Sequence, residues 1–249
     1  MISAVVLTHN SQAMLEDTLT SLIWCDEIVI IDDDSTDNTA QIAKKHHARL
    51  ISHKLRGDFS AQRNFGLAQA YGDWVLFVDA DEVVSDALAK EISKAVQDNI
   101  QDGYYLKRED TLWGRTLRHG ETSKVRLIRL GRKGSGKWVR PVHEVWQIHG
   151  YNTTLTHPIL HFPHPSVRQF LSDINDYSTA NAAYFYSEGV RVSWWHIVAY
   201  PTAKFFQNYV WRRGFLDGTE GAIVALMMSF HSFLTRAKLW QLWHQRGTV

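Results

Sequence analysis

The chain repeats one constraining event: an apolar run that reads as a buried strand ends in a burst of carboxylates. EIVIID (27–32) runs into Asp33 and Asp34, and WVLFVD (74–79) runs into Ala80, Asp81 and Glu82. Like charges this close repel, and each disfavours ionisation of its neighbours. Such a cluster needs a cation, strong exposure to water, or a chemical task.

The runs fall in a regular alternation. Strands are predicted at 2–8, 27–32, 48–52 and 74–79. Between and after them, helical spacing spans 12–23, a stretch from Ser35 or Thr36 to about His46, 60–70 and 86–97, with Ser11 and Ser85 as N-caps. Strands apolar on both faces, alternating with helices, predict an α/β fold with a mostly parallel central sheet. From 103 to 160 the runs are short and separated by Gly-rich and charged turns, as in mixed or antiparallel strands. Helical patterns then dominate over 167–187, 194–213 and 220–244.

Ligands of open α/β sheets bind beyond the carboxyl ends of the strands. Thr8-His9-Asn10, Asp32-Asp33-Asp34 and Asp79-Ala80-Asp81 all stand at such ends. In extended backbone, side chains two apart point the same way, so Asp79 and Asp81 can grip one hard cation, Mg²⁺ or Mn²⁺. One carboxylate of 32–34 suits N–H groups of a base or sugar, the rest suiting a solvated turn. Thr8 and Asn10 are equally readable as turn and cap residues. Arg63, opening the helical run, is able to approach a phosphate.

Charge supports a division of labour. Residues 1–100 hold 8 Lys and Arg against 16 Asp and Glu; residues 189–249 hold 7 against 2. The acidic part attracts cations, the basic end phosphates or an anionic surface. No recognised nucleic-acid module appears, and the sheet region is acidic, so no nucleic-acid partner is expected. The single cysteine, Cys25, excludes an internal disulfide and a multi-cysteine zinc site. MISAVVLTHN lacks the basic and long apolar segments of a secretion signal, and no uncharged apolar run reaches the roughly 18 residues of a spanning helix.

The series VVLTHN, IVIIDDDSTDNT and SAQRNFGLAQAYGDWVLFVDADE resembles glycosyltransferase family 2, inverting enzymes with a GT-A-type nucleotide-sugar domain. The resemblance implies a UDP-sugar donor, with Thr8, Asn10 and Asp32 at the uridine, Asp34 among the substrate contacts, and Arg63 at the base or diphosphate. Asp79, Ala80 and Asp81 would meet donor and metal. It implies a GT-A-like catalytic domain over 1–160, with a nucleotide-binding half at 1–100 and an acceptor half at 101–160. A helical region over 161–249 follows.

PVHEVW (141–146), LHFPHPS (160–166) and YPTAKFFQNYVWRRGFLDGTEGAIVA look like the lipopolysaccharide-core β-glucosyltransferase subgroup. That likeness implies glucose transfer to an inner-core heptose on the cytoplasmic face of the inner membrane. Candidate bases are Glu144, Glu82, Asp110 and Glu121; Glu144 is favoured because it forms the compact pair His143-Glu144 after an apolar-proline turn, and the subgroup carries His-Glu there. His143 is read as a further metal ligand and His161 as an acceptor contact. Other family 2 acceptors (polyprenyl phosphate, another glycan, peptide) and a non-catalytic nucleotide-binding or membrane scaffold are the competing readings.

Arg126, Arg129, Arg132, Lys133, Lys137 and Arg140 form a basic stretch that is solvated by default and would suit a phosphorylated acceptor. Trp194, Trp195, Trp211, Trp240 and Trp243, interspersed with Arg and Lys, suit an interfacial membrane anchor. The alternatives are a helical cap over the domain or a homo-oligomer interface.

Overall fold

The computed structural model describes residues 1–141 and 144–246 of the chain. It divides into two compact units: Met1–Arg108 with Val125–His161, and Glu109–Lys124 with Phe162–Val249.

The first unit is α/β. Its opening elements are β1 (Ile2–Thr8), α1 (Leu15–Thr20), β2 (Glu27–Asp32), α2 (Thr39–Lys45), β3 (Arg49–Ser52), α3 (Phe59–Gln69), β4 (Trp74–Asp79), β5 (Glu82–Val83) and α4 (Asp86–Asp98). The strands β3-β2-β1-β4 lie side by side, all parallel. Beyond β4 the sheet turns antiparallel through β6 (Gly103–Leu112) and β8 (Arg126–Arg132), with β7 (Arg115–Thr116) between them in sequence. β9 (Gly136–Val139) and β10 (Val145–Ile148) form a separate hairpin, and β11 (Asn152–Thr154) adds to β6. β12 (Ile159–His161) runs antiparallel to β5.

Side-chain alternation explains why the parallel strands are apolar throughout. Ala4, Val6, Ile30, Leu76 and Val78 face Leu15 and Leu19 of α1 and Leu88 and Ile92 of α4. Val5, Val29, Ile31, Val75 and Phe77 face Leu67 of α3 and the indoles of Trp138 and Trp146. Burying both faces is what a parallel sheet covered on both sides requires. Asp58 caps α3 by accepting from the Ala61 N–H at 2.9 Å, and Ser85 caps α4 from the Leu88 N–H at 3.3 Å. Helix α3 lies very close to the sheet at Gly66, where a Cβ would fall 2.7 Å from Val5 Cγ1 and 3.1 Å from Ile31 Cγ1.

The first helix is shorter than the spacing predicts. Ser11 uses its hydroxyl on the His9 N–H at 3.2 Å instead of capping a helix, and only Leu15–Thr20 is α-helical. The predicted catalytic block 1–160 also loses a segment, because Glu109–Lys124 belongs with the helices. Asp217 accepts from the backbone N–H of His119 and meets its Nδ1, both at 2.8 Å, and Lys204 pairs with Glu121 at 2.6 Å.

That second unit holds α5 (Val167–Ser187), α6 (Trp194–Phe206) and α7 (Gly218–Arg246). Both α5 and α6 pack on α7. The helix predicted over 194–213 is interrupted: a π turn occupies Gln207–Trp211, and Arg213, at φ 56°, ends it.

Candidate active site

The parallel register gathers the polar strand ends. Thr8 pairs with Asp32 across β1–β2, and Leu7 pairs with Asp79 across β1–β4, so three loops open from one edge. Asp32 is buried there. Its Oδ1 accepts from Thr8 Oγ1 at 2.7 Å and Ser35 Oγ at 2.6 Å, and its Oδ2 accepts from the Ser35 N–H at 2.9 Å. A carboxylate has about four lone-pair sites, so one on Oδ2 is left for an outside donor.

Asn10, at φ 49°, adopts a left-handed conformation that asparagine tolerates. Its Oδ1 accepts the Thr36 N–H at 2.8 Å, and its own N–H donates to Ser35 Oγ at 2.8 Å. These bonds staple the loop after β1 to the loop after β2. Asp34 stands apart from that staple, held by Lys54 and Ser52 Oγ, both at 2.8 Å. Those two partners keep its carboxyl below the ordinary range.

The carboxylate of Asp79 sits between two guanidiniums. Arg63 Nη2 donates to Oδ1 at 2.8 Å; Arg129 donates to Oδ2 and, from Nη1 at 3.3 Å, to Oδ1. Burial by itself raises the pKa of this carboxyl, but the charges of Arg129 and Arg63 outweigh it and hold the group well below the usual carboxylate range. Arg129 in turn keeps its proton more firmly than a free guanidinium: burial opposes this, and Asp79 and Glu82 overcome it. Arg63 extends the network, donating from Nε to Glu144 Oε1 at 2.8 Å, with its guanidinium 4.8 Å from the centre of the Trp138 ring. A continuous chain therefore runs Glu144–Arg63–Asp79–Arg129.

Asp79 in this arrangement holds arginines, and the open carboxylate is Asp81. Its side chain is 41% exposed, and His161 Nε2 stands 3.3 Å from its Oδ2. The antiparallel pairing of β5 with β12, which sets His161 opposite Glu82, brings them together. Among the described residues no group of three His, Cys, Asp or Glu side chains is placed to hold a metal unaided. One carboxylate and one imidazole nevertheless fit a divalent ion that brings substrate phosphate oxygens and water. The expected third ligand, His143, lies outside the described residues. Ala80 is partly buried between the two aspartates, and its carbonyl accepts Thr18 Oγ1 at 2.9 Å.

The four candidate bases separate clearly. Glu82 is fully buried, with Oε2 accepting the Asp79 N–H at 2.9 Å; burial and the charge of Asp79 push its carboxyl up, Arg129 offsetting part. Asp110 is buried in the second unit. Glu121 is engaged by Lys204 and by Asn208 Nδ2. Glu144, bonded to Arg63 Nε, has a side chain 17% exposed.

Arg129 is the residue that sequence reasoning misassigned. Counted among the basic stretch as surface charge, it is buried on β8 beneath Asp79. A signal existed: it lies within LIRL, where a strand buries consecutive residues, and a buried arginine demands a carboxylate. The rest of the stretch is no single patch. Arg132 bonds Asn99 Oδ1 at 2.8 Å, and Lys133 Nζ bonds the Ala70 carbonyl at 2.5 Å. Asn64, beside Arg63, is structural, bonding the backbone of Trp138 in both directions.

Comparison with known proteins adds the following. Residues 3–156 match the sequence profile described as "Glycosyl transferase family 2". A lipopolysaccharide core biosynthesis glycosyltransferase, LpsC of Rhizobium meliloti (strain 1021), is 31% identical over 96% of the chain and 92% of that protein. An uncharacterized glycosyltransferase of Rickettsia felis is 26% identical over 96% and 89%. Among solved structures, residues 1–349 of S. aureus TarS in complex with UDP superpose with a TM-score of 0.51 at 17% identity, covering 99% of this chain and 92% of that one. That likeness speaks to the α/β fold.

Proposed function

Because the chain belongs to glycosyl transferase family 2, we propose that it moves a hexosyl group, glucosyl in the first instance, from a UDP-sugar to a hydroxyl of a lipopolysaccharide inner-core heptose with inversion. The observation that carries this reading is the register that sets Thr8, Asp32 and Asp79 on one sheet edge, with Asp81 in the turn that follows β4. The acceptor class is supported by the likeness to LpsC over nearly its whole length; the uridine diphosphate portion of the donor is suggested by the ligand in the TarS complex.

In this reading the stapled loops at Thr8, Asn10 and Asp32 receive the uridine, Asp32 accepting a base N–H on its remaining lone pair. Asp81 and His161 would hold a Mn²⁺ or Mg²⁺ ion. When bound, that ion offsets the negative charge that grows on the departing UDP. Inversion is one in-line displacement: the acceptor oxygen bonds to the anomeric carbon as the bond to the diphosphate oxygen breaks. Glu144 takes the acceptor proton, and Arg63, bonded to both Glu144 and Asp79, keeps that base in place. Asp79 serves as the anchor of the two arginines.

A lipid-linked acceptor calls for a membrane-facing surface, and the second unit has candidates. Trp194, Val198, Phe206, Val210 and Trp211 are exposed, Trp211 to 87%, near Arg212 and Arg213. Trp243 is drawn inward, its indole N–H on the Val190 carbonyl and Arg191 over its ring. Among the described residues no helix is long and apolar enough to cross a membrane. The reading is of a protein lying peripherally on the inner face of the cytoplasmic membrane.

The test is UDP release across a panel of UDP-sugars, with Mn²⁺, Mg²⁺ or EDTA, and deacylated heptose-terminated core oligosaccharide as acceptor. Metal-dependent release stimulated by the acceptor is expected. No release or binding with any UDP-sugar defeats the reading. Flotation with anionic vesicles tests the surface, and a dimer with no flotation assigns those aromatics to self-association.

A further inference from the structure

The hairpin joining β6 to β7 contains a contradiction. Leu112 pairs with Arg115, leaving a two-residue loop of Trp113 and Gly114, at φ 49° and 87°. Two positive φ values define the turn that favours Asn-Gly, Asp-Gly or Gly-Gly. Glycine occupies the second place, but the first holds tryptophan, a bulky residue for which this backbone is an outlier. Burial does not account for it, because Trp113 is 39% exposed. Backbone strain at a residue that is not needed in the core is a signature of a functional position.

The neighbours of Trp113 strengthen that signature. Its indole N–H donates to the carbonyl of His164 at 3.0 Å, which fixes the ring plane. His164 is itself left-handed, at φ 56°. Its imidazole stacks on Phe170 with centroids 3.8 Å apart and planes 9° from parallel. Its Nδ1 lies 2.8 Å from Asp173 Oδ2, and Gln169 Nε2 steadies the other oxygen at 2.8 Å. An ionised carboxylate only accepts, so Nδ1 carries the proton, and whenever the ring is neutral Nε2 keeps a lone pair. The result is a tryptophan 39% exposed, tied by its N–H to the backbone of a residue whose imidazole, 22% exposed, is oriented by Asp173.

We propose that Trp113, His164 and Asp173 form a subsite for a sugar ring of the acceptor glycan. The chemistry matches: a pyranose offers an apolar C–H face to stack on indole and hydroxyls to donate to imidazole. Asp173 is a positioning residue, acting through His164. This proposal rests on the acceptor being a glycan, and it assigns three side chains that the transfer step does not use.

The turn geometry supplies the test. Trp113→Asn creates Asn-Gly, the sequence that this turn prefers, so a tryptophan with no ligand role predicts unchanged or improved behaviour throughout. If Trp113 stacks on sugar, the same change raises the KM for heptose-terminated core oligosaccharide about tenfold, the scale of one aromatic contact, while the melting temperature holds or rises. Trp113→Tyr, which restores a ring, recovers most of the loss, and His164→Asn, which tolerates the left-handed backbone, also raises the acceptor KM. An acceptor KM within about twofold of wild type in Trp113→Asn overturns the proposal. So does a fall in melting temperature with acceptor and donor KM rising together, which marks a structural role. If the wild-type protein neither binds nor cleaves any UDP-sugar, the transferase reading fails, and calorimetry with the oligosaccharide alone decides the subsite: binding lost in Trp113→Asn upholds it, and no binding by wild type overturns it.

Discussion

Replacing Arg129 by glutamine tests the charge network directly. The change removes two donors from Asp79 and one positive charge from a strand position where the arginine side chain is 6% exposed. Two unit charges about 4 Å apart interact by about 4 kcal/mol at an effective dielectric of 20. Breaking a buried pair from one side costs roughly 3–5 kcal/mol. Arg63 still reaches Asp79 at 2.8 Å, and the Asp79 side chain is 29% exposed, so the lower figure applies, about 3 kcal/mol at neutral pH.

The pH dependence has a definite sign. Asp79 is held below its ordinary 3.8. Its contribution is therefore complete above that value and is lost as the pH falls toward the depressed native one. Glu82 is pushed above its ordinary 4.5, so its penalty grows as the pH rises past that value, and Arg129 restrains it. Both effects make the gap between wild type and Arg129→Gln widest near pH 7 and narrower toward pH 3. Urea denaturation followed by tryptophan fluorescence at several pH values measures that gap. A gap that is constant from pH 7 to pH 3, or below about 1 kcal/mol throughout, refutes the ion-pair reasoning.

Three other outcomes are expected. Glu144→Gln retains UDP-sugar binding by calorimetry but loses about 10²–10⁴-fold in transfer, the range for a general base; near-wild-type turnover removes Glu144 from that role. Asp81→Ala weakens donor binding in the presence of Mn²⁺ and leaves metal-free UDP binding little changed; an unaltered Mn²⁺ dependence dismisses it as a ligand. Burial, with some help from Asp26, pushes the Cys25 thiol up to about 12. Iodoacetamide at pH 8 should therefore label it slowly in the native protein and quickly in urea, and fast native labelling read by mass spectrometry contradicts that environment.

What could be read from the chain follows how local its causes are. The four parallel strands are legible as short apolar runs alternating with helical spacing, two of them ending at carboxylates, and the convergence of Thr8, Asp32 and Asp79 follows once the sheet is parallel. Long helices such as Val167–Ser187 announce themselves by their length and pattern, and the structure adds the Ser166 cap. The partners of Asp79 and Asp81 were hidden for the opposite reason. Arg129 arrives by the antiparallel pairing of β8 with β4, and His161 by that of β12 with β5, both contacts between residues distant in sequence. A D-x-D spacing says that two carboxylates share a direction, but not that one is already neutralised. The segment Glu109–Lys124 departed from its expected domain because Asp217 and Lys204, far downstream, claim it.

The tight seat of Gly66 carries a practical consequence. It stands three residues past Arg63 on α3, where the nearest sheet atoms leave no room for even a methyl group. A saturation scan scored by turnover should therefore show a dead column at a site with no reactive atom, since any side chain there lifts the helix and drags the guanidinium away from both acids. Loss of activity on such a map reports helix seating as readily as chemistry.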